Sequence, residues 1–310
     1  MPLAVFVLAV LMVPAARAKW CHPPRRAEPA ELSCDVPHGL CVTRLASGIL
    51  MAVHAGANPD IVSMSIRRSG RWEGVGARAE ELTGSSLPPL TDGRRRGMLD
   101  VGANIGLYSL VFAHSGYDVL AVEPMALNRA ALNTSLCLNP HLRERVRVAP
   151  YALVAPDELG VHCHVRAREP GIGNGMMFCN GLCGGENSEH SPEGEGMQKG
   201  NKRGLCYNVE MRLLDEVLRA NEPMRIDVVK MKIEGKECSA IAGGERVLFE
   251  RHRPHMLRVE TANLPGDHNG TSCVNRAATR YGYTASKVGG DTVLWRRESG
   301  GRGRRRPLYP

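Results

Sequence analysis

Apolar residues in the central part of the chain alternate between the patterns of strands and of helices. Strand-like apolar runs are followed by stretches in which apolar residues recur about every three to four positions, as on one face of a helix. The predicted strands are Met98–Val101, Tyr117–Pro124, Val146–Ala149 running into Tyr151–Leu153, Ile226–Ile233 and Met256–Glu260. The predicted helices are Leu107–His114, Met125–Leu138, Val209–Ala220 and Cys238–Phe249. This alternation predicts an α/β fold, and the largely apolar start of the fourth strand is typical of a parallel sheet.

The two ends of the chain differ from this centre. Two alternating stretches, Tyr281–Val288 and Thr292–Arg297, predict a closing antiparallel pair of strands. Residues 19–96 are rich in proline and contain three cysteines, and the alternating stretch Ile61–Ile66 predicts a strand within them. We therefore expect a lead-in segment with a strand or two that caps the sheet or shapes a substrate mouth.

The loop after the first predicted strand carries the clearest binding signal. An apolar run ends at Asp100, and Gly102 and Gly106 follow before the first helix. Glycines at the carboxyl end of a strand let a ligand approach the backbone closely. The spacing differs from the G-x-G-x-x-G of dinucleotide-binding loops, and an acid in the loop mouth disfavours a phosphate. Glu123 ends the second strand about twenty residues later, where such folds place a ribose-binding carboxylate, so one adenosine-type ligand satisfies both acids.

Three short motifs together resemble a known family. They are Asp100-Val-Gly-Ala-Asn-Ile-Gly106, Val122-Glu123-Pro124, and Lys230-Met-Lys-Ile-Glu-Gly235 with Glu237 close behind. In this order they resemble the FkbM-type family of S-adenosylmethionine-dependent methyltransferases, over about residues 97–297. The resemblance implies a Rossmann-like class I methyltransferase fold, with a mostly parallel seven-stranded sheet and an antiparallel end. It also implies S-adenosyl-L-methionine as the cofactor and methyl transfer to a hydroxyl oxygen.

The same resemblance assigns the cofactor contacts. Asp100 is expected near the methionine or ribose part of the cofactor, and Glu123 at the ribose hydroxyls. The expected loop contacts come from Gly102, Ala103, Asn104, Gly106 and Pro124. Ala152, at the end of the third strand, is expected beside the adenine ring, although a plain core position explains it equally well.

The third motif is expected to carry the acceptor chemistry, and it departs from the family pattern. The family usually reads K-I-D-V-E-G, whereas this chain has Lys232 in place of the aspartate. Glu234 and Lys230 are the expected catalytic residues. Lys232 acts as a base only if burial lowers its pKa. Otherwise Glu234 takes over that role, or Lys232 pairs with Glu260 and has no part in catalysis.

This departure leaves two rival functions open. A binding protein that keeps the fold and the cofactor without turnover is consistent with Lys232. An NAD-dependent enzyme is consistent with an acid on the second strand, but the loop lacks the third glycine of a dinucleotide site. The main interpretation is an O-methyltransferase acting on a sugar or glycan hydroxyl or on a small molecule.

Composition narrows the choice of partners. The formal net charge is +8, but four arginines lie in the last ten residues, and aromatic residues make up only 5% of the chain. Single-stranded nucleic acids bind on aromatic stacking platforms, so the basic clusters are interpreted as solvated surface and as a basic tail at residues 298–310. We therefore expect no nucleic-acid partner.

The N-terminus indicates export. Residues 2–13 are apolar and uncharged, and Ala16-Arg17-Ala18 has the small-x-small pattern of a cleavage site before Lys19. The run is shorter than the about 20 residues of a membrane-spanning helix, so residues 1–18 are predicted to be a signal peptide and no stable span is expected. The protein is then lumenal in the secretory pathway or secreted; a membrane anchor formed by the same segment is the alternative.

The cysteines fit the same compartment, because all ten follow Ala18. Cys179 and Cys183 fall in a glycine-rich insert at about residues 160–205, with His162 and His164 nearby. Zinc is the alternative, but this C-x-x-x-C and H-x-H spacing is not that of a structural zinc site, so disulfides and no metal are expected. Two glycosylation sequons, at Asn133 and Asn269, matter only in a lumenal protein.

Overall fold

The computed structural model describes residues 20–22, 34–56, 59–84, 87, 90–168, 173–179, 183, 198–200, 204–262, 264–266, 270 and 272–297. The predicted signal peptide, the basic tail and Asn269 of the second sequon lie outside these residues. Within the described ranges, no helix has both the length and the apolar character needed to cross a membrane.

Strands and helices alternate through most of the described chain. The strands are β1 (Leu40–Arg44), β2 (Leu50–His54), β3 (Gly97–Val101), β4 (Asp118–Val122), β5 (Val146–Ala149), β6 (Tyr151–Leu153), β7 (His164–Arg168), β8 (Gly175–Phe178), β9 (Gln198–Gly200), β10 (Gly204–Asn208), β11 (Glu210–Arg212), β12 (Val228–Met231), β13 (Met256–Glu260), β14 (Tyr283–Val288) and β15 (Asp291–Arg296). The helices are α1 (Ile61–Ser69), α2 (Glu80–Thr83), α3 (Leu107–His114), α4 (Ala126–Leu138), α5 (Pro140–Arg143), α6 (Leu214–Ala220), α7 (Glu237–Arg246) and α8 (Cys273–Tyr281).

A seven-stranded sheet forms the centre of the molecule, in the order β14-β15-β13-β12-β3-β4-β5. The strands from β13 to β5 are parallel, while β15 runs antiparallel to both β13 and β14. The predicted Rossmann-like α/β class, with a mostly parallel sheet and an antiparallel end, is confirmed. The closing antiparallel pair is also where the alternating pattern predicted it.

Alternate residues of the central strands face two apolar cores, one on each side of the sheet. Met98 and Val119 pack with α3, α4 and the lead-in strands. Their neighbours Leu99 and Leu120 pack with α6, α7 and α8 on the opposite face. Burial on both faces explains why these parallel strands read as continuous apolar runs in the sequence.

The lead-in packs directly on the central domain. Its β1–β2 hairpin lies against α4, where the hydroxyl of Ser135 accepts a 2.9 Å hydrogen bond from the backbone N–H of Ala52. A disulfide joins Cys34 to Cys137 at the end of α4. Residues 40–82 of the lead-in contribute side chains to the same core as β3 and α3.

The alternating stretch at residues 61–66 is a helix, so the predicted strand there is wrong. Asp60 caps α1 by accepting a 2.9 Å hydrogen bond from the backbone N–H of Ser63, and Gly70 ends it with a φ of 68°. Val62 and Ile66, four positions apart, are both buried. Two caps and one buried face favour a helix over the local alternation.

Other predicted boundaries shift where the chain leaves the main sheet. The third strand is interrupted at Pro150, which has no N–H for a ladder, and β6 pairs in parallel with β11 in a separate two-stranded sheet. The first part of the segment predicted as helix 209–220 therefore forms β11. Only Leu214–Ala220 is helical. The helix predicted at 238–249 ends at Arg246 and continues as a π-helical turn, whereas α8 was not predicted.

The insert forms its own antiparallel sheet, in the order β8-β7-β10-β9. The ten cysteines form five disulfides: Cys21–Cys41, Cys34–Cys137, Cys163–Cys179, Cys183–Cys206 and Cys238–Cys273. The disulfide prediction is confirmed, and it leaves the insert without the free thiolates that the zinc alternative requires. Within the described residues, no group of His, Cys, Asp or Glu side chains is arranged to hold a metal ion.

Candidate active site

The loop after β3 is nearly bare of side chains. Gly102 and Gly106 have φ angles of 74° and 92°, a left-handed conformation that glycine adopts without strain. A Cβ at position 102 would overlap the carbonyl oxygen of Lys232, and one at position 106 would overlap the side chain of Leu132. Both conformation and space therefore require glycine at these two positions.

This loop lies where the sheet reverses its strand order. The chain builds β3, β4 and β5 outward on one side and then places β12 on the other side of β3. Ligands of open α/β sheets bind at such a point, outside the carboxyl ends of the strands. A cleft opens there, lined by residues around the carboxyl ends of β3, β4, β6 and β12 and by residues of the insert.

The structure brings most of the predicted site residues to this cleft, but not all of them. Those that line it are Gly102, Asn104, Glu123, Pro124, Ala152, Lys232 and Glu234. The predicted residues that lie beside or beneath it, and do not line it, are Asp100, Ala103, Gly106 and Lys230.

Glu123 is buried at the end of β4 and is fixed by three donors. One carboxylate oxygen accepts a 2.8 Å hydrogen bond from the backbone N–H of Asn104, in the glycine loop. The other accepts from the backbone N–H of Met125 at 3.0 Å and from the side-chain amide of Asn128 at 3.3 Å. Burial raises the pKa of Glu123 more than these donors lower it. The acid therefore links the glycine loop to the start of α4.

Asp100 is fully buried beneath the loop. The hydroxyl of Ser109 donates to one of its carboxylate oxygens at 2.7 Å, and the ammonium of Lys230 lies 3.3 Å from the other. The same ammonium donates to the carbonyl oxygen of Gly102 at 2.6 Å. Buried charges are stable when they are paired, so this ion pair supports the loop from below.

Ala103 and Gly106 shape the loop without lining the cleft. The N–H groups of Gly102 and Ala103 both donate to the carbonyl oxygen of Val122, at 2.9 and 3.1 Å, and the N–H of Gly106 donates to Ala103 at 2.9 Å. These bonds turn the chain back toward β4 before α3 begins.

Lys232 lies between two glutamates from different parts of the chain. Its ammonium is 3.1 Å from a carboxylate oxygen of Glu260, at the end of β13, and 3.2 Å from one of Glu73, in the lead-in. The hydroxyl of Tyr108 donates to the second oxygen of Glu73 at 2.6 Å. Burial alone would lower the pKa of Lys232, but the two glutamates outweigh it and raise the pKa. This direction is opposite to the one that a lysine base requires, and the ion pair with Glu260 is the alternative that the sequence left open.

Glu234 differs from the other acids of the site. It follows β12 with a φ of 55°, a left-handed conformation that is uncommon outside glycine, and it lines the cleft. No hydrogen bond or ion pair to its carboxylate occurs among the described residues. Burial and the negative charge of Glu260 raise its pKa, although the charges of Lys232 and Lys230 act in the opposite direction.

Four contributors to this region were missed by the sequence interpretation. Glu73 comes from the lead-in, Asn128 from α4, Lys236 from the residue before α7, and Gly173, Asn174, Gly175 and Met177 from the insert. Only the glycine-rich run around Gly173 and Gly175 carried a sequence signal, because closely spaced glycines indicate a close backbone approach. The other three are side chains that only the fold brings here.

Solved structures similar to this chain include several methyltransferases, all at low similarity. The C-terminal domain of precorrin-6Y C5,15-methyltransferase from Rhodobacter capsulatus is 12% identical, with a TM-score of 0.31 over 66% of this chain and 82% of that chain. A SAM-dependent methyltransferase from Agrobacterium tumefaciens is 8% identical, with a TM-score of 0.40 over 84% and 72%. The human methyltransferase 10 domain containing protein is 12% identical, with a TM-score of 0.35 over 68% and 76%.

The sequence comparison is more specific than these structural similarities. No curated protein matches the chain. The family model described as the methyltransferase FkbM domain matches residues 100–283, which is more than half of the chain and spans the glycine loop, Glu123 and the Lys230–Gly235 motif. The chain therefore belongs to the FkbM family of S-adenosylmethionine-dependent methyltransferases.

Proposed function

We propose that this methyltransferase binds S-adenosyl-L-methionine in the cleft and transfers the methyl group to a hydroxyl oxygen of a sugar, a glycan or a small molecule. The observation that carries the proposal is the carboxyl group of Glu234. It lines the cleft, it has no partner among the described residues, and its pKa is raised by burial. A carboxylate of raised pKa is suited to accept a hydroxyl proton during transfer.

The residues at the cleft fit an adenosyl ligand. Gly102 lines the cleft and has no side chain, so a ligand there can approach the loop backbone closely. Glu123 is held at the end of β4, the position that suits the ribose hydroxyls. Pro124 and Ala152 supply apolar surface for the adenine ring. Asp100, Ala103 and Gly106 keep the loop in shape and do not line the cleft.

The chain's own residues divide the chemical work. The cofactor, when bound, supplies an electrophilic methyl group on a sulfonium sulfur. Glu234 accepts the acceptor's hydroxyl proton at a carboxylate oxygen as the new bond forms. Lys232 stays an ammonium ion, orients the acceptor oxygen and takes no proton, because Glu73 and Glu260 hold its charge. Lys230 acts through Asp100 and the carbonyl of Gly102 and positions the loop.

The choice of a glycan acceptor is supported by the compartment alone. Five disulfides within the described residues fit an oxidising environment such as the secretory lumen or the cell exterior. Glycan hydroxyls are abundant acceptors there, and we propose them ahead of small molecules.

The first test is binding and turnover of the full chain. Calorimetry with S-adenosylmethionine is expected to show one site. Release of S-adenosylhomocysteine is then measured over a panel of monosaccharides, oligosaccharides and small alcohols. Absence of binding by folded protein overturns the proposal. Binding without release for any acceptor supports the rival, a protein that keeps the cofactor site without turnover.

The second test removes the proposed base. Glu234→Gln is expected to lower kcat by about 100-fold or more, since general-base catalysis contributes roughly 10²–10⁴-fold, and to leave cofactor affinity unchanged. Glu144→Gln is the matched control, because Glu144 is an exposed carboxylate at the end of α5. Equal turnover in the two variants excludes Glu234 as the base.

A further inference from the structure

We propose that the disulfide-closed hairpin of the insert is part of the cofactor site, and that residues 173–177 form its roof. This inference rests on the proposed function, because the ligand it names is S-adenosylmethionine. Gly173, Asn174, Gly175 and Met177 line the cleft together with Gly102 and Asn104 of the glycine loop. The family motifs contain none of these residues.

Two side-chain amides fix the roof to the body of the domain. The carbonyl oxygen of Gly173 accepts a 2.9 Å hydrogen bond from the side chain of Asn104 and another of 2.9 Å from that of Asn128. Asn104 belongs to the glycine loop, and Asn128 also donates to Glu123. The roof is thus joined to the two elements that are proposed to hold the adenosyl group.

This connection is buried and continues into the lead-in. Asn128 is 1% exposed, and its amide oxygen lies 3.0 Å from the Nε2 of His54, which is fully buried at the end of β2. A buried polar network is rigid when its members are bonded to one another. The roof position is therefore set by the body of the protein as well as by the insert.

The roof backbone passes too close to its neighbours for any side chain at two positions. A Cβ at Gly173 would lie 2.9 Å from the carboxyl carbon of Asp60 and 3.1 Å from the ring of His54. A Cβ at Gly175 would overlap the side chains of Val165 and Met125. The glycines let the hairpin settle against α4 and the lead-in while still leaving the cleft open.

The disulfide Cys163–Cys179 closes the loop that carries the roof, with a sequence separation of 16 residues. It lies beside the first pair of the β7–β8 ladder, His164 with Phe178. The apolar cluster under this hairpin is small, with Met125, Val165, Ala167 and Tyr207 as its buried members. A hairpin with so little core depends on a covalent closure to limit its conformational freedom.

The test compares two disulfide variants. Cys163→Ser/Cys179→Ser is expected to bind S-adenosylmethionine about tenfold or more weakly by calorimetry, which corresponds to about 1.4 kcal/mol. Cys21→Ser/Cys41→Ser removes a disulfide of similar separation, 20 residues, in the lead-in and is expected to keep the affinity of the unaltered protein. Equal affinity in the two variants, with both folded by circular dichroism, overturns the inference.

A second measurement needs no variant. Hydrogen exchange of the unaltered protein is followed with and without S-adenosylmethionine. Amides 173–179 are expected to exchange at least several-fold more slowly with the cofactor, together with those of the glycine loop. Protection of the glycine loop alone overturns the proposal that residues 173–177 form the roof, and it leaves the proposed function intact. Failure of the unaltered protein to bind the cofactor overturns the proposed function itself.

Discussion

At the scale of single residues, three acids near the cleft differ in what surrounds them. Asp100 is fully buried and paired with Lys230. Glu123 is buried and held by two backbone N–H groups. Glu234 lines the cleft without a partner among the described residues. The same carboxyl chemistry therefore gives a structural support, a proposed ribose-binding group and a proposed base, and burial and partners distinguish the three.

Burial raises the pKa of Glu234 and the charge of Lys232 acts against that shift, which gives a prediction about pH. Lys232 lowers the pKa of Glu234, whereas Glu260 and Glu73 raise it, and Lys230 lowers it. In Lys232→Gln the pKa of Glu234 rises further, so a higher pH is needed to ionise the base. We expect the acid limb of the methyl-transfer rate profile to move up by about half a pH unit or more.

The control for this prediction comes from the same loop. Lys236 also lines the cleft, but its charge is paired with Glu158 at 2.8 Å. Lys236→Gln is expected to leave the acid limb where it is. A shift of the limb toward lower pH in Lys232→Gln contradicts the assignment of Glu234 as the titrating base.

The sequence placed seven of its eleven predicted site residues on the lining of the cleft. The positions of Glu234, Glu123 and Lys232 follow from motifs at strand ends, because strand-end loops are short and local. The direction of the Lys232 pKa did not follow, since it depends on Glu73, which is 159 positions away in the chain. Charge partners over such distances have no sequence periodicity.

At the scale of elements, local pattern and caps compete, as α1 shows. Residues 61–66 alternate like a strand, yet Asp60 and Gly70 cap a helix that buries Val62 and Ile66. Gly70, which ends this helix, is constrained by both its backbone conformation and its packing. Gly70 has a φ of 68°, and a Cβ there would lie 2.9 Å from the backbone N of Ala46. The helix end is therefore also a packing contact with the β1–β2 turn.

These two constraints at Gly70 predict that two glycine substitutions lower the free energy of unfolding by different amounts. Gly70→Ala is expected to lower the free energy of unfolding by about 2–4 kcal/mol, from left-handed strain together with overpacking. Gly282 ends α8 with a φ of 74°, and no atom lies within 4 Å of a Cβ added there. Gly282→Ala is therefore expected to lower the free energy of unfolding by about 1 kcal/mol, from left-handed strain alone. Urea denaturation measures both. Equal losses would show that the contact with Ala46 carries no cost.

At the scale of the whole molecule, segments outside the family motifs contact the site residues. The lead-in supplies Glu73 and His54, and the insert supplies the roof of the cleft. The Cys34–Cys137 disulfide ties the lead-in to α4 across a separation of 103 residues. The lead-in also shares the core of β3 and α3, so we expect it to unfold together with the central domain.

Removing that disulfide tests this view of the molecule. Cys34→Ser/Cys137→Ser is expected to lower the free energy of unfolding by about 4–5 kcal/mol. Without the disulfide, a loop of about 100 residues is no longer closed in the unfolded chain, and the conformational entropy of that chain rises. Differential scanning calorimetry is expected to show one transition, shifted to a lower temperature. A separate early transition for the lead-in, with the main transition unmoved, would mean that the lead-in is an independent unit.

The sequence by itself determined the α/β class, the glycine loop, the strand-end acids and the oxidised cysteines, because periodicity, motif spacing and composition are local properties of the chain. Only the tertiary structure decided that Asp100 lies beneath the loop, that α1 is a helix and that β6 leaves the main sheet. It also decided which segments enclose the cleft. These features depend on contacts between residues far apart in the chain, where packing space and charge partners outweigh local preference.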